Sequence, residues 1–225
     1  MSKRFKVVLL IRFLGYLFFI SGVTLFVFML GPVAQAEFNY RKDQLLGVRR
    51  VVPNIVTSNP NEQSATTGFG DIASSVEIIT PVSTDFGIVV EKINANARVV
   101  ANVNPGDVKE YLNALTQGVA HAKGTNLPGE KGNIYLFSHS TDAPWNIVRY
   151  NAVFYLLREL NPGDRVIVFY LGRRHDYTVF DKVVVPPSEI SYLTNRYDEE
   201  VLTLQTCDPP GTILNRLIVR AKKVA

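Results

Sequence analysis

The stretch Val201-Leu202-Thr203-Leu204-Gln205-Thr206-Cys207, followed by Asp208-Pro209-Pro210-Gly211, is the most informative part of the chain. Its first seven residues are mostly apolar or β-branched, which is typical of a buried strand. The Pro-Pro-Gly that follows interrupts strand structure, so Cys207 is expected where a strand meets a loop. Cys207 is also the single cysteine among 225 residues, which excludes an internal disulfide and a multi-cysteine metal site.

Similar short apolar runs, divided by turns, continue outward from this stretch over residues 76–225. They predict eight strands: Val76–Thr80, Phe86–Ile93, Arg98–Val103, Asn133–Ser138, Arg165–Tyr170, Asp176–Val185, Val201–Thr206 and Leu214–Ala221. Two helices are predicted at Val108–Leu115 and Ala152–Leu160. Eight short strands with little helix indicate an all-β barrel or sandwich, and we favour a closed barrel because closure removes exposed strand edges.

The N-terminal segment is almost wholly apolar from Val7 to Leu30, with Arg12 as its only charge. An uncharged run of 18 residues follows that arginine, about the minimum for a helix that crosses a bilayer. We therefore predict a transmembrane anchor over residues 7–31. A signal peptide cleaved after Ala36 is the alternative, because Ala-Gln-Ala fits the cleavage pattern. Residues 1–6 carry three basic side chains and are expected to stay in the cytoplasm, which places the body outside.

The charge distribution supports this topology. The formal net charge of the chain is +4, yet residues 1–36 hold four basic side chains and no acidic one, so residues 37–225 are formally neutral. The scattered basic pairs of the body make nucleic-acid binding a poor interpretation. Residues 37–75, rich in Asn, Ser, Thr and Gly, are expected to form a spacer. That spacer is either a solvated stalk or a flap that packs over the active site.

Three side chains of the body could carry chemistry. Cys207 is either a small buried hydrophobic residue or a nucleophile, and an exported protein rarely keeps an unpaired cysteine without a use. His139 follows a predicted strand and opens a polar loop, so it could meet Cys207 at one barrel rim as its proton acceptor. Arg216 stands nine positions after Cys207 and either faces a cleft or lies on the solvated outside of the barrel.

The segment Thr203-Leu204-Gln205-Thr206-Cys207 resembles the TLxTC motif of sortases, the cysteine transpeptidases of bacterial cell surfaces. The order of His139, the motif and Arg216 is similar to the order in that family. The segment Gly118-Val119-Ala120-His121 resembles the chain that leads to the sortase histidine strand. The resemblance covers roughly residues 78–223, with spacing like class C or class E sortases. Ser138 is a departure, since sortases usually carry Gly before the histidine.

The resemblance implies an eight-stranded sortase-type closed β-barrel with short helices over residues 76–225. Cys207 would be the nucleophile, His139 the acid/base partner and Arg216 the cation that positions substrate and stabilises an oxyanion. Thr206, Ser138 and Trp145 are the expected substrate-binding residues, and no cofactor is expected.

Such an enzyme would cleave an LPxTG-like sorting signal and transfer the acyl group to an amine of a peptidoglycan precursor or a pilin lysine. Its partners would be surface proteins or pilins that carry the signal. It would lie in the bacterial cytoplasmic membrane, with the N-terminus inside the cell. A hydrolytic cysteine peptidase and a catalytically silent surface-binding or pilus-assembly module are the alternatives. His121 is expected to pack in the fold, and His175 to lie on a solvated hairpin tip.

Overall fold

The computed structural model describes residues 3–53, 76–140 and 153–224. It begins with one long helix, α1 (Lys3–Leu45). The segment Arg4–Phe28 of this helix has a mean hydropathy of 2.1 and is long and apolar enough to cross a membrane. Its large apolar side chains are exposed in the isolated chain.

The body is a closed barrel of eight strands, which confirms the predicted fold. The barrel strands are β3 (Phe86–Val90), β4 (Ala95–Val103), β5 (Val119–Ala122), β6 (Gly132–Phe137), β7 (Arg165–Tyr170), β8 (Arg173–Val185), β9 (Glu200–Asp208) and β10 (Asn215–Lys223). Around the barrel they run in the order β10-β8-β7-β3-β4-β5-β6-β9, so β9 and β10 close the ring. The pair β6–β9 is parallel and the pair β9–β10 antiparallel.

Alternation along the strands divides the side chains between an interior core and an outer layer. Along β9, Leu202 and Leu204 point into the interior core, while Thr203, Gln205 and Cys207 alternate with them on the outer side. The outer layer is a second apolar cluster, in which β5 and β6 pack against α2 (Val108–Gln117). The side chain of Asp107 accepts the backbone N–H groups of residues 109 and 110, so it caps α2 as its residue type predicts. The short helix α3 (Ser191–Thr194) lies beside this layer.

Two of the predicted elements are wrong in detail. The predicted strand Val76–Thr80 is not part of the barrel: its first three residues form β2 (Val76–Ile78), which pairs with β1 (Arg49–Val51) in a separate two-stranded sheet. The eighth barrel strand is instead β5, whose Val-Ala-His-Ala has weak strand propensity and was not predicted. It is held by pairing on both sides, parallel to β4 and antiparallel to β6.

The predicted helix Ala152–Leu160 is also wrong over the residues that the structure describes. The chain makes turns from residue 153 and then one 3-10 turn, Leu157–Glu159. Phe154, Leu157 and Leu160 are fully buried in the barrel core. The apolar spacing in this segment therefore reflects the burial of these three side chains and not a regular helix.

The described part of the predicted spacer, residues 37–53, packs against the barrel. Its first residues continue α1, and Glu37 there contacts the Arg158 guanidinium and accepts the Tyr155 hydroxyl. One turn later Tyr40 packs on the barrel core. Val52 is almost fully buried beside β3 and β7. The helix and β1 thus form a continuous attachment to the body.

Candidate active site

A groove of about 540 Å³ lies on the outer face of the barrel beside the ends of β6, β9 and β10. Its floor is formed by side chains that point outward from the sheet, among them Phe137 and Gln205. Leu115 of α2 forms one wall, and Leu193 of α3 forms the other. The groove is therefore mainly apolar along its length, with polar groups concentrated at the strand ends.

The wall formed by α3 is fixed to the sheet by one amide side chain. Asn133 of β6 donates two hydrogen bonds to the carbonyls of Tyr192 and Leu193, at 2.9 and 3.3 Å. Its own carbonyl oxygen accepts the Thr203 hydroxyl at 2.7 Å. Because these groups are largely buried, their pairing holds the groove wall in one position.

Cys207 and Arg216 are direct neighbours across the β9–β10 ladder. The register pairs Cys207 with Arg216, so their side chains emerge on the same face of the sheet. The Cβ atoms of such pairs lie about 4.5–5.5 Å apart. Both residues are half-buried and both line the groove. The expectation that Arg216 faces a cleft, rather than only bulk solvent, agrees with this position.

His139 lies on the other side of Cys207. In the parallel β6–β9 pair, Phe137 is level with Gln205, and the backbone N–H of Ser138 donates to the Gln205 carbonyl at 3.1 Å. His139 stands two residues after Phe137, just beyond the end of β6, and Cys207 stands two residues after Gln205 near the end of β9, so both side chains reach the same edge of the groove. His139 is half-buried and lines the same groove. Three neighbouring strand ends therefore present a histidine, a thiol and a guanidinium in a row.

Arg216 already uses part of its hydrogen-bonding capacity. One terminal nitrogen, Nη1, donates to the carbonyls of Ile213 and Asn215, at 3.2 and 3.0 Å. These bonds orient the guanidinium beside the loop that joins β9 to β10. Its other N–H groups have no partner among the described residues and remain able to bind a carbonyl or carboxylate.

The three expected substrate-binding residues differ in placement. Thr206 and Ser138 border the groove but are buried, and the Thr206 hydroxyl donates to the Ser138 carbonyl at 3.0 Å. This bond joins the ends of β9 and β6 and so fixes the spacing between Cys207 and His139. Trp145 lies outside the described residues.

Tyr135 and Gln205 are groove residues that the sequence reasoning did not select. The Tyr135 hydroxyl donates to the Gln205 side-chain carbonyl at 2.5 Å. Burial raises the pKa of Tyr135, while the positive charge of Arg216 acts in the opposite direction. A usable signal was present, because Gln205 is a polar residue inside an otherwise apolar strand, two positions before the cysteine.

The other two histidines lie away from the groove. His121 is fully buried; its Nδ1 accepts the backbone N–H of Asn102 at 3.3 Å, and Nε2 contacts the Asn126 carbonyl at 3.0 Å, so it packs structurally as predicted. The expectation for His175 was wrong: it is buried, because it is the third residue of β8 and points inward at the end of the barrel. Among the residues that the structure describes, no cluster of three His, Cys, Asp or Glu side chains could hold a metal ion.

Comparisons with known proteins agree with this geometry. A model of the sortase domain matches residues 88–224, more than half of the chain. Sortase D of Bacillus subtilis (strain 168) is 26% identical over 175 residues, which cover 76% of this chain and 80% of that protein.

Solved structures give the same result. The sortase D5 transpeptidase of Clostridium perfringens has a TM-score of 0.52 and 26% identity, covering 65% of this chain and 82% of that one. Sortase C-1 of Actinomyces oris has a TM-score of 0.52 and 28% identity, covering 64% of this chain and 76% of that one. With the domain model, the barrel and the three strand ends in agreement, the chain belongs to the sortase family of cysteine transpeptidases.

Proposed function

We propose that this protein is a membrane-anchored sortase that cleaves an LPxTG-like sorting signal and transfers the acyl part to an amine. The observation that supports this most is the row of His139, Cys207 and Arg216 at three adjacent strand ends beside one groove. This arrangement offers a nucleophile, a proton carrier and a fixed cation to one carbonyl group.

In the first step, the Cys207 thiolate attacks the carbonyl carbon between Thr and Gly of the signal. The developing oxyanion accepts hydrogen bonds from Arg216, whose N–H groups beyond Nη1 are available for this. The carbon–nitrogen bond then breaks, and His139 gives a proton to the leaving amine. The product is a thioacyl enzyme.

In the second step, an acceptor amine attacks the thioester and loses a proton to His139. The carbon–sulfur bond breaks and Cys207 leaves as a thiolate, so the enzyme returns to its starting state. The acceptor would be a peptidoglycan precursor or a pilin lysine. All three groups are side chains of this chain, so the proposed reaction needs no cofactor.

The proposed location is the bacterial cytoplasmic membrane, with the catalytic barrel on its outer side. The segment Arg4–Phe28 would cross the membrane, with the basic N-terminal flank inside and the barrel outside. Surface proteins or pilins that carry a sorting signal would be the donor substrates.

The test uses the full chain in detergent micelles with a fluorogenic Leu-Pro-x-Thr-Gly peptide, with and without an added amine. The wild type is expected to form an amide adduct, and mass spectrometry should detect the thioacyl intermediate on Cys207. Cys207→Ala should abolish turnover. Turnover retained by Cys207→Ala would contradict the assignment, and hydrolysis without adduct would identify a peptidase instead.

A second measurement tests His139. We expect His139→Ala to lower kcat by about 10²–10⁴-fold, the usual contribution of a positioned general acid or base. His121→Asn is a matched control, since His121 packs inside the barrel and lines no part of the groove. Its folded fraction should keep the wild-type rate.

A further inference from the structure

Gln205 occupies a distinctive place in the groove. It stands on the outer face of β9, two residues before Cys207, and its side chain lines the groove floor. It is half-buried, and its neighbours on the floor and walls are apolar, including Phe137, Leu115 and Leu193. A side-chain amide in such surroundings needs hydrogen-bond partners, because an unpaired polar group in an apolar environment is costly.

Only one end of this amide is paired within the described part of the chain. The Gln205 oxygen accepts the Tyr135 hydroxyl at 2.5 Å, and no described residue accepts from its nitrogen. Asn133, on the outer face of the adjacent strand, provides the contrast: its oxygen and its nitrogen are both hydrogen-bonded. Gln205 therefore differs from Asn133 because its two side-chain N–H donors remain available inside the groove.

Tyr135 fixes which way the Gln205 amide points. The Tyr135 ring is only 4% exposed and is packed with Leu115 and Phe137 in the outer apolar cluster. Its hydroxyl has burial as the main cause of its raised pKa, so it stays a neutral donor at any working pH. A neutral hydroxyl that donates to the Gln205 oxygen turns the amide nitrogen away from Tyr135 and toward the open groove.

The spacing of Gln205 and Cys207 matches an extended peptide. Residues two apart on a strand repeat about every 6.6–6.8 Å and point to the same side. The carbonyls of an extended peptide that lie two residues apart repeat over the same distance, again on one side. A peptide that runs parallel to β9 with its scissile carbonyl at Cys207 therefore presents a second carbonyl, two residues earlier, at the level of Gln205.

We infer that the Gln205 side-chain amide, oriented by Tyr135, donates a hydrogen bond to the substrate main-chain carbonyl two residues before the scissile one. This role rests on the proposed function and names part of its substrate recognition. In a Leu-Pro-x-Thr-Gly signal this carbonyl belongs to the proline. Because the bond forms in both the bound substrate and the transition state, it lowers KM and leaves kcat almost unchanged.

The experiment is a cycle between one enzyme variant and one changed atom of the substrate. The full chain in micelles is assayed with Leu-Pro-x-Thr-Gly and with the same peptide in which sulfur replaces the proline carbonyl oxygen, since sulfur is a weaker acceptor. With the oxygen peptide, Gln205→Met should raise KM about three- to tenfold, the value of one neutral hydrogen bond. With the sulfur peptide, Gln205→Met should cause little further loss.

Two further variants complete the test. Tyr135→Phe keeps the ring but removes the hydroxyl that orients Gln205, and we expect KM to rise about two- to fivefold with kcat unchanged. Gln117→Met is the matched control, because Gln117 is an exposed glutamine of α2 outside the groove. It should match the wild type with both peptides.

The outcomes separate this role from the proposed function. If Gln205→Met raises KM equally with both peptides, or raises it with neither, the proposed hydrogen bond is contradicted. Turnover by the wild type would still support a sortase. An unchanged KM in Tyr135→Phe would overturn the orienting role of Tyr135. Absence of turnover by the wild type itself would overturn the proposed function, and the role of Gln205 with it.

Discussion

Strands β9 and β10 end in two different chemical environments. At one end Cys207 and Arg216 pair across the ladder, beside a groove where the Gln205 nitrogen and part of the Arg216 guanidinium lack partners among the described residues. At the opposite end, Glu200 of β9 and Lys223 of β10 belong to a dense polar cluster with Tyr177 and His175 of β8.

The opposite-end cluster pairs most of its groups internally. Glu200 accepts the Tyr177 hydroxyl, and it accepts the backbone N–H of Gly129 at 2.9 Å. The Lys223 ammonium lies 2.8 Å from Nδ1 of His175 and above the Tyr177 ring. The same pair of strands thus leaves hydrogen-bond donors available at the groove, whereas its polar groups at the far end are paired with one another. We infer that the first end serves binding and reaction, and the second end serves stability.

Of the predictions that test this contrast between the two ends, the largest expected effect is on Arg216. Arg216→Ala should lower kcat/KM by about 10²–10³-fold, the cost of losing a donor to an oxyanion, with little change in thermal stability because its side chain is half-buried. The assay is peptide turnover by the full chain. Arg220→Ala is the matched control: Arg220 lies on the same face of β10 but pairs with Asp181 at 2.6 Å. Arg220→Ala should keep kcat/KM within about twofold of the wild type. Equal losses of kcat/KM in both variants would contradict the proposed difference between Arg216 and Arg220.

The far end should show the reverse pattern. Glu200→Ala leaves Tyr177 and the backbone N–H of Gly129 without their acceptor, so we expect the free energy of unfolding to fall by about 2–4 kcal/mol. Urea denaturation at pH 7.5 measures this loss. Glu200→Gln retains an acceptor and should lose less. A fall in kcat of the folded Glu200→Ala enzyme would contradict a purely structural role.

Stability should also decrease as the pH falls below about 6.5. Burial lowers the pKa of His121, and burial together with Lys223 lowers that of His175. Both histidines therefore bind protons more readily in the unfolded chain, whose histidine pKa is near 6.5, so the native state loses stability from that pH downward.

Each histidine can add at most about 1.4 kcal/mol per pH unit to this slope. Glu200, Asp176, Arg173 and Lys223 are the charged groups that act on His175. Thermal unfolding between pH 7.5 and 5.5 provides the measurement. His175→Asn should reduce the slope, and a slope identical to wild type would contradict the assignment.

The smallest expected effect concerns the attachment of α1. Glu37 and Arg158 form a partly exposed ion pair, with side chains 24% and 37% exposed. A double-mutant cycle with Glu37→Gln and Arg158→Met should give a coupling of about 0.5–1 kcal/mol, the range for such pairs. Denaturation of the full chain in micelles measures this coupling. A coupling near zero would show that this ion pair adds nothing to the attachment of α1 to the barrel.

The sequence was most informative where a local pattern and a chemical requirement coincide. The run that ends at Cys207 predicted a strand end because apolar alternation stops at Pro-Pro-Gly, and the structure places it there. His139 was predicted at a strand end by the same reasoning, because it directly follows the predicted strand Asn133–Ser138. Arg216 could face either side from alternation alone, and only the register with Cys207 decides between them.

Long-range pairing explains what the sequence could not predict. The four-residue strand β5 forms because β4 and β6 supply its hydrogen bonds, a contribution that local propensity does not contain. His175 was misassigned because two adjacent arginines suggested solvent, whereas its side chain points inward from β8 and contacts Lys223, 48 residues away. The orientation of the Gln205 amide depends on its hydrogen bond with Tyr135, which lies 70 residues earlier on another strand.

The docking of α1 has a mechanical consequence. With Arg4–Phe28 in a bilayer, residues 29–45 continue the helix for about 25 Å before it ends against the barrel. A body joined to such an anchor by a helix that packs on its own core at Tyr40 would not tumble independently. It would only turn about the membrane normal and diffuse in the plane. A substrate tethered in the same bilayer would then meet a groove held at one height and one inclination, so encounter becomes a two-dimensional search.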